Sequence, residues 1–371
     1  MKSVFFLSLM NGGAWGGSEE IWYRTALWMC KNNYKVGIGC FDWEGKQERL
    51  NKLKQAGCIV YLLPNKKGLF KNRAIKKILD LIPFAEYNLT AVNQGGWEEI
   101  LHAPFKDLYK RLPNYVILNH NYYENATLSS KKQKLLKQWL TSAQMNFGAT
   151  GKIFEVIEKK FSINVGKKTT LVNPITFQPE TEPSAYPPLT NEGCTWVMLA
   201  ELDLARKSQD LLVNVLASAK WKERNWQLHF YGKGKDMGLL EGMIKLSGLE
   251  NKIFLKGFTT DIKRTLQSCH ALLQCTRIDA MPIAVVEAMA MARPCVVSNI
   301  GDMPLWVQDE FNGFFCTDTD EQGIDQALEK CWQQKNNWEI MGKRSFDIFI
   351  KKYPQPYEEK VADMLVNSGR Q

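Results

Sequence analysis

The chain has 371 residues, of which 45% are hydrophobic and 23% are charged, as in ordinary soluble proteins. This length is too great for one comfortable hydrophobic core and suits two domains. No apolar run reaches the roughly 20 residues that span a bilayer. The apolar start, Met1–Met10, is not followed by the small-residue cleavage site of a signal peptide, so it is predicted to be a buried first strand.

Nine cysteines are scattered from Cys30 to Cys331, and none form a C-x-x-C pair. Cys269, His270 and Cys275 are close in sequence, but no second pair completes the ligand set of a zinc site. We therefore expect no metal. Scattered cysteines in apolar surroundings are typical of small buried side chains in the reducing cytosol, which predicts a cytoplasmic protein.

The charge is unevenly distributed. Residues 1–175 hold 26 Lys and Arg against 13 Asp and Glu, a net charge of +13, whereas residues 176–371 hold 22 against 26, a net charge of −4. Many of the cations fall in the ranges 46–77 and 131–168. This bias suits peripheral contact with an anionic membrane or an acidic partner, and a solvated basic face explains it equally well. Nucleic acid is not expected, because no recognised binding motif accompanies the clusters.

Short β-rich runs alternate with longer amphipathic segments through the first half of the chain. The predicted strands are Lys2–Leu9, Lys35–Phe41, Cys58–Leu63, Leu89–Gln94 and Asn114–Asn119. The first predicted helix is Ser18–Asn32, with Ser18 as its N-cap and two glutamates in its first turn. This alternation predicts a doubly wound parallel sheet.

The alternation stops at Asn173-Pro174, where a stretch containing five prolines predicts a linker. It then resumes with the predicted strands Thr195–Ala200, Gln227–Tyr231, Lys252–Lys256, Ala271–Cys275 and Pro294–Ser298. We therefore predict an α/β protein with two Rossmann-like domains at 1–173 and 194–345, a linker at 174–193, and a C-terminal helix at 346–371 that returns to the first domain. Two such domains would leave a cleft, with ligands at the carboxyl ends of the strands.

The segment from Arg277 to Ala290 carries the most chemistry. It follows a predicted strand and opens a helix, with Pro282 in the first turn. The free N–H groups of a helix start can hold a phosphate. Asp279 precedes the helix, and Glu287 leans back toward its start, so both carboxylates can reach one small volume. Such a pair suits the hydroxyls of a ribose and a sugar that flank a diphosphate. An ordinary amphipathic helix with a capping Asp would show the same spacing.

This segment resembles the two-acid signature of retaining glycosyltransferase family 4, in which two glutamates are separated by seven residues. Asp279 and Glu287 keep that spacing. Further similarities are Gly16-Gly17-Ser18-Glu19, Asn93-Gln94-Gly95-Gly96, Asn173-Pro174, Lys207-Ser208-Gln209-Asp210, Tyr231-Gly232-Lys233-Gly234, Arg293-Pro294-Cys295 and Asn312-Gly313-Phe314. The resemblance covers nearly the whole chain, is strongest from residue 200 to 315, and implies the GT-B fold.

The resemblance also implies roles for individual residues. Glu287 would hold the donor's ribose, Asp279 would contact the transferred sugar, and Lys207 would neutralise the diphosphate. The full set of expected donor-binding residues is Gly16, Gly17, Arg206, Lys207, Phe258, Thr259, Asp279, Ala280, Met281, Pro282, Ile283 and Glu287. His120 would lie beside the donor sugar and the acceptor. A structural histidine at 120 and a core phenylalanine at 258 would leave the same sequence.

Three positions depart from the family pattern. Glu201 stands where an arginine is usual, and Arg206 is a hypothetical substitute for that arginine. Asp279 replaces a glutamate, which shortens its reach by one methylene, and Ala280 replaces a glycine.

These observations predict a retaining, metal-independent transfer of a sugar from a UDP- or GDP-sugar to the hydroxyl of a glycan or glycolipid acceptor, in the synthesis of a polysaccharide, lipopolysaccharide or glycolipid. No cofactor is expected. A catalytically weakened nucleotide-sugar-binding protein is the first alternative, favoured by the three departures. An epimerase or a phosphorylase-like enzyme of the same fold is the second alternative.

Overall fold

The computed structural model describes residues 2–65, 68, 70–190, 193–280 and 283–368. The chain forms two compact units. Unit 1 comprises Met1–Pro174 and Pro354–Gln371, and unit 2 comprises Ile175–Tyr353. Within the described ranges, no helix is both long and apolar enough to cross a lipid bilayer.

Unit 1 is built on a parallel sheet of seven strands. The strands are β1 Ser3–Ser8, β2 Lys35–Phe41, β3 Ile59–Leu63, β4 Leu89–Gln94, β5 Tyr115–Asn119, β6 Met145–Gly148 and β7 Lys168–Thr170. Their order is β3-β2-β1-β4-β5-β6-β7, so the direction of winding reverses between β1 and β4. The helices before residue 175 are α1 Gly17–Lys31, α2 Gln47–Gln55, α3 Lys71–Leu81, α4 Ser130–Ser142 and α5 Lys152–Phe161. Every residue of β1 is buried, as expected for a parallel strand covered on both faces.

Unit 2 repeats this plan with a parallel sheet of six strands. The strands are β8 Cys194–Leu199, β9 Trp226–Tyr231, β10 Ile253–Gly257, β11 Ala271–Gln274, β12 Cys295–Ser298 and β13 Gly313–Cys316. Their order is β10-β9-β8-β11-β12-β13, with the reversal between β8 and β11. The helices are α6 Leu204–Lys207, α7 Gln209–Leu216, α8 Ala219–Lys222, α9 Met237–Leu246, α10 Ile262–Gln267, α11 Ile283–Ala290, α12 Met303–Trp306, α13 Glu321–Gln333 and α14 Trp338–Lys352.

The last helix, α15 Tyr357–Asn367, belongs to unit 1 although it follows all of unit 2. It packs on α1, where Arg24 forms a 2.5 Å ion pair with Glu358. The hydroxyl of Tyr357 donates to the carbonyl of Val172 at 2.8 Å. The two ends of unit 2 also lie together, because the backbone N–H of Ile175 donates to the hydroxyl of Tyr353 at 2.9 Å.

A fully buried arginine, Arg293, holds α11 in place. Its guanidinium donates to the carbonyls of Leu266, Gln267, Met291, Ala292 and Ala185. Leu266 and Gln267 are the last two residues of α10, where helix carbonyls lack partners within the helix, and Met291 and Ala292 directly follow α11. The fifth lies in the irregular stretch 175–190, so the same side chain ties that stretch to unit 2.

The prediction of two α/β domains with parallel sheets is confirmed. Two local predictions are wrong. Ser18 is not the N-cap of α1, since the helix begins at Gly17 and its cap is Gly16, whose carbonyl accepts from the backbone N–H of Glu19 at 2.9 Å. The strands β6, β7 and β13 were also missed. Each has only three or four residues, so its strand pattern is weak, although β11 and β12, which have four residues each, were predicted.

Candidate functional site

The predicted site residues of unit 2 lie in loops at the carboxyl edge of its sheet. Glu201, Arg206 and Lys207 follow β8, and Asp279 and Ala280 follow β11. β8 and β11 are the two strands between which the winding reverses. A crevice forms at such a point because the connections on either side lead away in opposite directions, and open α/β sheets bind ligands there.

Lys207 and Asp279 form the central contact of this edge. The ammonium Nζ of Lys207 lies 2.5 Å from the carboxylate Oδ2 of Asp279, and their side chains are 11% and 15% exposed. Lys207 ends the short helix α6, which is capped by the carboxylate of Asp203, and its backbone N–H donates to the carbonyl of Asp203 at 2.7 Å. The structure thus places a partly accessible cation beside a hydrogen-bond acceptor at the strand ends.

Arg277 fixes the loop that carries Asp279. Its guanidinium binds the carboxylate of Asp210 through two bonds of 3.0 and 3.1 Å and the carbonyl of Leu204 at 2.8 Å. The backbone N–H groups of Arg277 and Ile278 both donate to the carbonyl of Arg206. The loops after β8 and β11 are therefore bound to each other, which fixes the relative positions of Lys207 and Asp279.

Gly301 supports the same loop from the other side. It has a φ of +54°, and a Cβ at this position would lie 2.1 Å from the carbonyl oxygen of Ala280. That oxygen also accepts from the backbone N–H of Asp302 at 3.0 Å. Only glycine avoids both the strained backbone and the clash.

Glu287 is 4% exposed and is bound by a residue that the sequence did not single out. Its Oε1 accepts from the backbone N–H of Thr176 at 2.9 Å and from the hydroxyl of Thr176 at 2.6 Å. Burial raises the pKa of Glu287, and the two bonds from Thr176 partly oppose that rise. The only sequence signal for Thr176 is its place just after Asn173-Pro174.

The remaining predicted donor residues of unit 2 differ in what surrounds them. Arg206 is half-exposed, and its Nη1 lies 3.5 Å from a carboxylate oxygen of Glu201, so these two oppositely charged groups are already paired. Phe258 is 68% exposed, which shows that the alternative of a core phenylalanine is wrong. The hydroxyl of Thr259 accepts from the backbone N–H of Asp261 at 3.1 Å. Ala280 and Ile283 are half-buried.

Met281 and Pro282, which were predicted to bind the donor, lie outside the described residues. In the described part of the chain, α11 begins at Ile283. Across the described ranges, no three His, Cys, Asp or Glu side chains are grouped so that they could hold a metal ion.

In unit 1, the predicted residues also lie at the carboxyl edge of the sheet. Gly16 and Gly17 are exposed at the start of α1, after β1, and a Cβ on Gly17 would meet no atom within 4 Å. His120 directly follows β5 and is 6% exposed. Its Nε2 lies 2.7 Å from Oδ1 of Asn93, and burial lowers its pKa to about 4.

A buried charge pair next to these residues escaped the sequence analysis. Glu19 and Lys46, 2% and 0% exposed at their side chains, form a 2.6 Å ion pair. Glu19 also accepts from the hydroxyl of Ser8 at 2.8 Å and from the indole N–H of Trp22. Its early position in α1 indicated a surface acid near the helix start. Its burial depends on Lys46, which lies 27 residues later and gave no pattern.

The chain is similar in sequence to known glycosyltransferases. Residues 193–334 match the family model described as "Glycosyl transferases group 1". A poly(ribitol-phosphate) alpha-N-acetylglucosaminyltransferase of Staphylococcus aureus is 27% identical over 151 residues, which cover 40% of this chain and only 30% of that enzyme. An uncharacterized glycosyltransferase of Haemophilus influenzae is 23% identical over 336 residues, which cover 89% of this chain and 90% of that protein.

The fold is shared with solved structures at low sequence identity. The Anabaena protein HepE in complex with UDP-glucose superposes with a TM-score of 0.73 at 16% identity, covering 98% of this chain and 99% of that one. The chain thus has the GT-B fold of two parallel-sheet α/β units, and the sequence of residues 193–334 resembles group 1 glycosyl transferases.

Proposed function

We propose that this chain is a retaining glycosyltransferase of family 4, which moves a sugar from a nucleoside diphosphate sugar to an acceptor hydroxyl. The observation that carries the proposal is the pair of Lys207 and Asp279, 2.5 Å apart at the point where the unit 2 sheet reverses. A nucleoside diphosphate sugar needs a cation for its diphosphate and an acceptor for its hydroxyls, and this pair offers both.

Lys207 is the group that lowers the barrier in this proposal. As the bond between the anomeric carbon and the diphosphate breaks, its electron pair moves to the diphosphate oxygen, and the ammonium stabilises the growing charge. The acceptor oxygen then bonds to the same face of the sugar and passes its proton to the departing diphosphate. Asp279 holds Lys207 in place and accepts a hydrogen bond from a hydroxyl of the transferred sugar. Because positioning and charge supply the rate, no metal is required.

Glu287 is assigned to the ribose. Oε1 accepts both hydrogen bonds from Thr176, which orient the carboxylate. Oε2 is then assigned to accept a hydrogen bond from a ribose hydroxyl. Phe258, exposed at the end of β10, is assigned to the base. We expect UDP as the nucleotide and keep GDP as the alternative. UDP is favoured because HepE, which shares the fold, has been solved with UDP-glucose.

The first test is a thermal-shift panel of UDP, GDP, ADP and their sugars on the full chain. A ligand that binds only the folded state stabilises it by about 2.7 kcal/mol at a hundred times its Kd. We expect UDP or GDP to raise the melting temperature, Glu287→Ala to abolish the rise, and Glu241→Ala, an exposed acid of α9, to keep it. No shift with any nucleotide would count against the proposal.

Retention of the anomeric configuration and independence of a metal ion need separate measurements. With an active donor and acceptor pair, proton NMR of the first product should show the same anomeric configuration as the donor. Turnover should persist in EDTA after extensive dialysis. An inverted product, or activity restored only by a divalent cation, would remove the corresponding part of the proposal.

One observation favours a second candidate, a nucleotide-sugar-binding protein with weak or no transfer. Arg206, the hypothetical substitute for the family's arginine, is paired with Glu201 and so offers the diphosphate less positive charge. Glu201→Arg separates the candidates. If the wild type binds nucleotide without turnover and Glu201→Arg gains turnover, the second candidate describes the natural protein. Turnover by the wild type favours the transferase.

For the acceptor, we propose a glycan or glycolipid reached from the inner face of the cell membrane. Helix α3 exposes Arg73, Lys76 and Lys77. At its two ends, Phe70 is 74% exposed and Leu81 is 69% exposed. Beside it lies a cavity of about 720 Å³, lined among others by Arg73, Lys76 and Lys106. Cations flanked by apolar side chains suit anionic headgroups.

Co-sedimentation with vesicles tests this contact. We expect binding to vesicles containing anionic lipid, weakened by salt because exposed charges are screened, and weakened further in Lys76→Gln/Lys77→Gln. The variant Lys245→Gln/Lys351→Gln removes the same charge from exposed positions of unit 2 and should bind as the wild type does. Equal binding to neutral vesicles would contradict the proposal.

A further inference from the structure

The buried charge pair of unit 1 is connected to His120 through one side chain. Glu19 accepts from Lys46 at Oε1, while Oε2 accepts from Ser8 and from Trp22. Lys46 thus supplies the counter-charge that a carboxylate needs when it is removed from water. The ring of Trp15 lies 5.7 Å from the ammonium and completes its surroundings.

Asn93, the fifth residue of β4, lies between this pair and His120. Its Nδ2 is 3.5 Å from Oε2 of Glu19 and 3.4 Å from the hydroxyl of Ser8, and its Oδ1 is 2.7 Å from Nε2 of His120. A carboxylate only accepts hydrogen bonds, so the amide nitrogen must face Glu19 and the amide oxygen must face His120. The reverse orientation would bring two oxygens together in a buried site.

The orientation of Asn93 decides which nitrogen of His120 carries the proton. Because Oδ1 accepts, Nε2 must donate, and in a neutral imidazole the other nitrogen is then an acceptor. That nitrogen, Nδ1, is buried and has no hydrogen-bond partner in the part of the chain that the structure describes. A buried polar atom without a partner is costly, and a bound hydroxyl would relieve that cost.

We infer that Glu19 and Asn93 are positioning residues that hold His120 in its neutral form with the proton on Nε2, so that Nδ1 is presented as an acceptor for a ligand hydroxyl. The nature of that ligand rests on the proposed function, in which it is the transferred sugar or the acceptor. A site built to accept a hydroxyl rejects analogues that lack one, because its acceptor is then left unpaired.

Nitrogen NMR of the histidine rings tests the inference on the full chain without any nucleotide. The protein is labelled with ¹⁵N-histidine, and the His120 signals are assigned with His120→Asn among the four histidines. In the wild type, Nε2 should be protonated and Nδ1 should not. Protonation of Nδ1 instead would overturn the inference.

Two variants test whether Asn93 and the Glu19–Lys46 pair determine which nitrogen of His120 is protonated. Asn93→Leu removes the acceptor, and Glu19→Leu/Lys46→Met replaces the whole ion pair by apolar side chains, a change that buried pairs often tolerate. In both variants, His120 should change from a single tautomer to a mixture of the two neutral tautomers. Glu20→Gln, which alters the neighbouring acid paired with Trp15 and Arg49, should leave it unchanged. An unchanged state in both network variants would overturn the inference.

Activity supplies a separate readout. In Asn93→Leu, kcat should fall by about 10²-fold, as expected when a contacting group is misplaced, while the thermal shift given by the nucleotide alone is retained. If the wild-type tautomer is as inferred but no nucleotide sugar is turned over, the proposed function fails and the positioning role stands. Retention of full kcat by Asn93→Leu would overturn the role in transfer.

Discussion

The two sheets share one plan, yet their carboxyl edges use charge in different ways. In unit 1, Glu19 and Lys46 are almost completely buried, and their hydrogen bonds are made within the protein. In unit 2, Lys207 and Asp279 are partly accessible and contact each other at the rim of the sheet. A charge that is fully satisfied inside the protein can only support structure or orient a neighbour. A charge that remains accessible can be shared with a ligand.

The largest effect should come from breaking the buried pair of unit 1. Glu19→Ala leaves Lys46 charged and unpartnered, and such a loss costs about 3–5 kcal/mol. Hydrogen exchange followed by mass spectrometry in increasing denaturant should show the loss in peptides of unit 1 and not of unit 2. Glu19→Leu/Lys46→Met should recover most of it. Equal stability of wild type and Glu19→Ala would contradict the contrast between the two edges.

The next effect should fall on function rather than stability. Lys207→Met removes the cation proposed to stabilise the leaving diphosphate, so kcat should fall by about 10²–10³-fold, the usual cost of losing one such group. The stability of unit 2 should change by no more than about 1–2 kcal/mol, because the pair is not fully buried. Lys245→Met, at an exposed position of α9 in the same unit, serves as the control. A large loss of stability with unchanged kcat would reverse the roles of the two edges.

Acid should weaken unit 1 through His120. Burial lowers its pKa to about 4, against an ordinary value near 6.5, so the unfolded chain binds the proton more readily between these values. Stability is therefore fully present above about pH 6.5 and falls as the pH drops to 4, by up to about 3 kcal/mol. Exchange profiles at several pH values should show this slope in the wild type and in His102→Asn, an exposed control, but not in His120→Asn.

The smallest effect concerns the cost of burying the carboxyl group of Glu287. Burial raises the pKa of Glu287, so its contribution to stability is present at low pH and is lost as the pH rises through the raised pKa. Glu287→Gln keeps an acceptor for Thr176 and removes the charge. It should stabilise unit 2 at pH 7 by about 0.5–2 kcal/mol, in the range of other stabilising changes at functional residues, and gain nothing at acidic pH. Denaturant titrations at both pH values check this.

Much of the fold could be predicted because it depends on local patterns. Apolar runs separated by amphipathic segments predicted most of the strands within one or two residues, and Lys35–Phe41 and Leu89–Gln94 were correct at both ends. The N-cap at Ser18 was wrong because a glycine can take the extended cap conformation without a side-chain bond, and Gly16 does so here. The sequence offers no means of choosing between two neighbouring candidates of this kind.

The candidate site also has a part that could be predicted from the sequence and a part that could not. Lys207 and Asp279 are 72 residues apart, and the resemblance to a known family placed both in the donor site before the structure placed them in contact. The partners that orient the site, such as Thr176 for Glu287 and Asn93 for His120, depend on which loops the sheet order brings together. Such contacts leave no spacing pattern in one sequence, so they had to be seen in three dimensions.

The order of the chain has a consequence for synthesis on the ribosome. Unit 2 is continuous and its two ends meet at Ile175 and Tyr353, whereas unit 1 lacks α15 until all of unit 2 has been made. Domains generally fold as units while the chain emerges. Unit 2 can therefore fold during translation, whereas unit 1 keeps the face of α1 that receives α15 uncovered until α15 has been made. Truncation before Tyr357 should then harm unit 1 while leaving unit 2 folded.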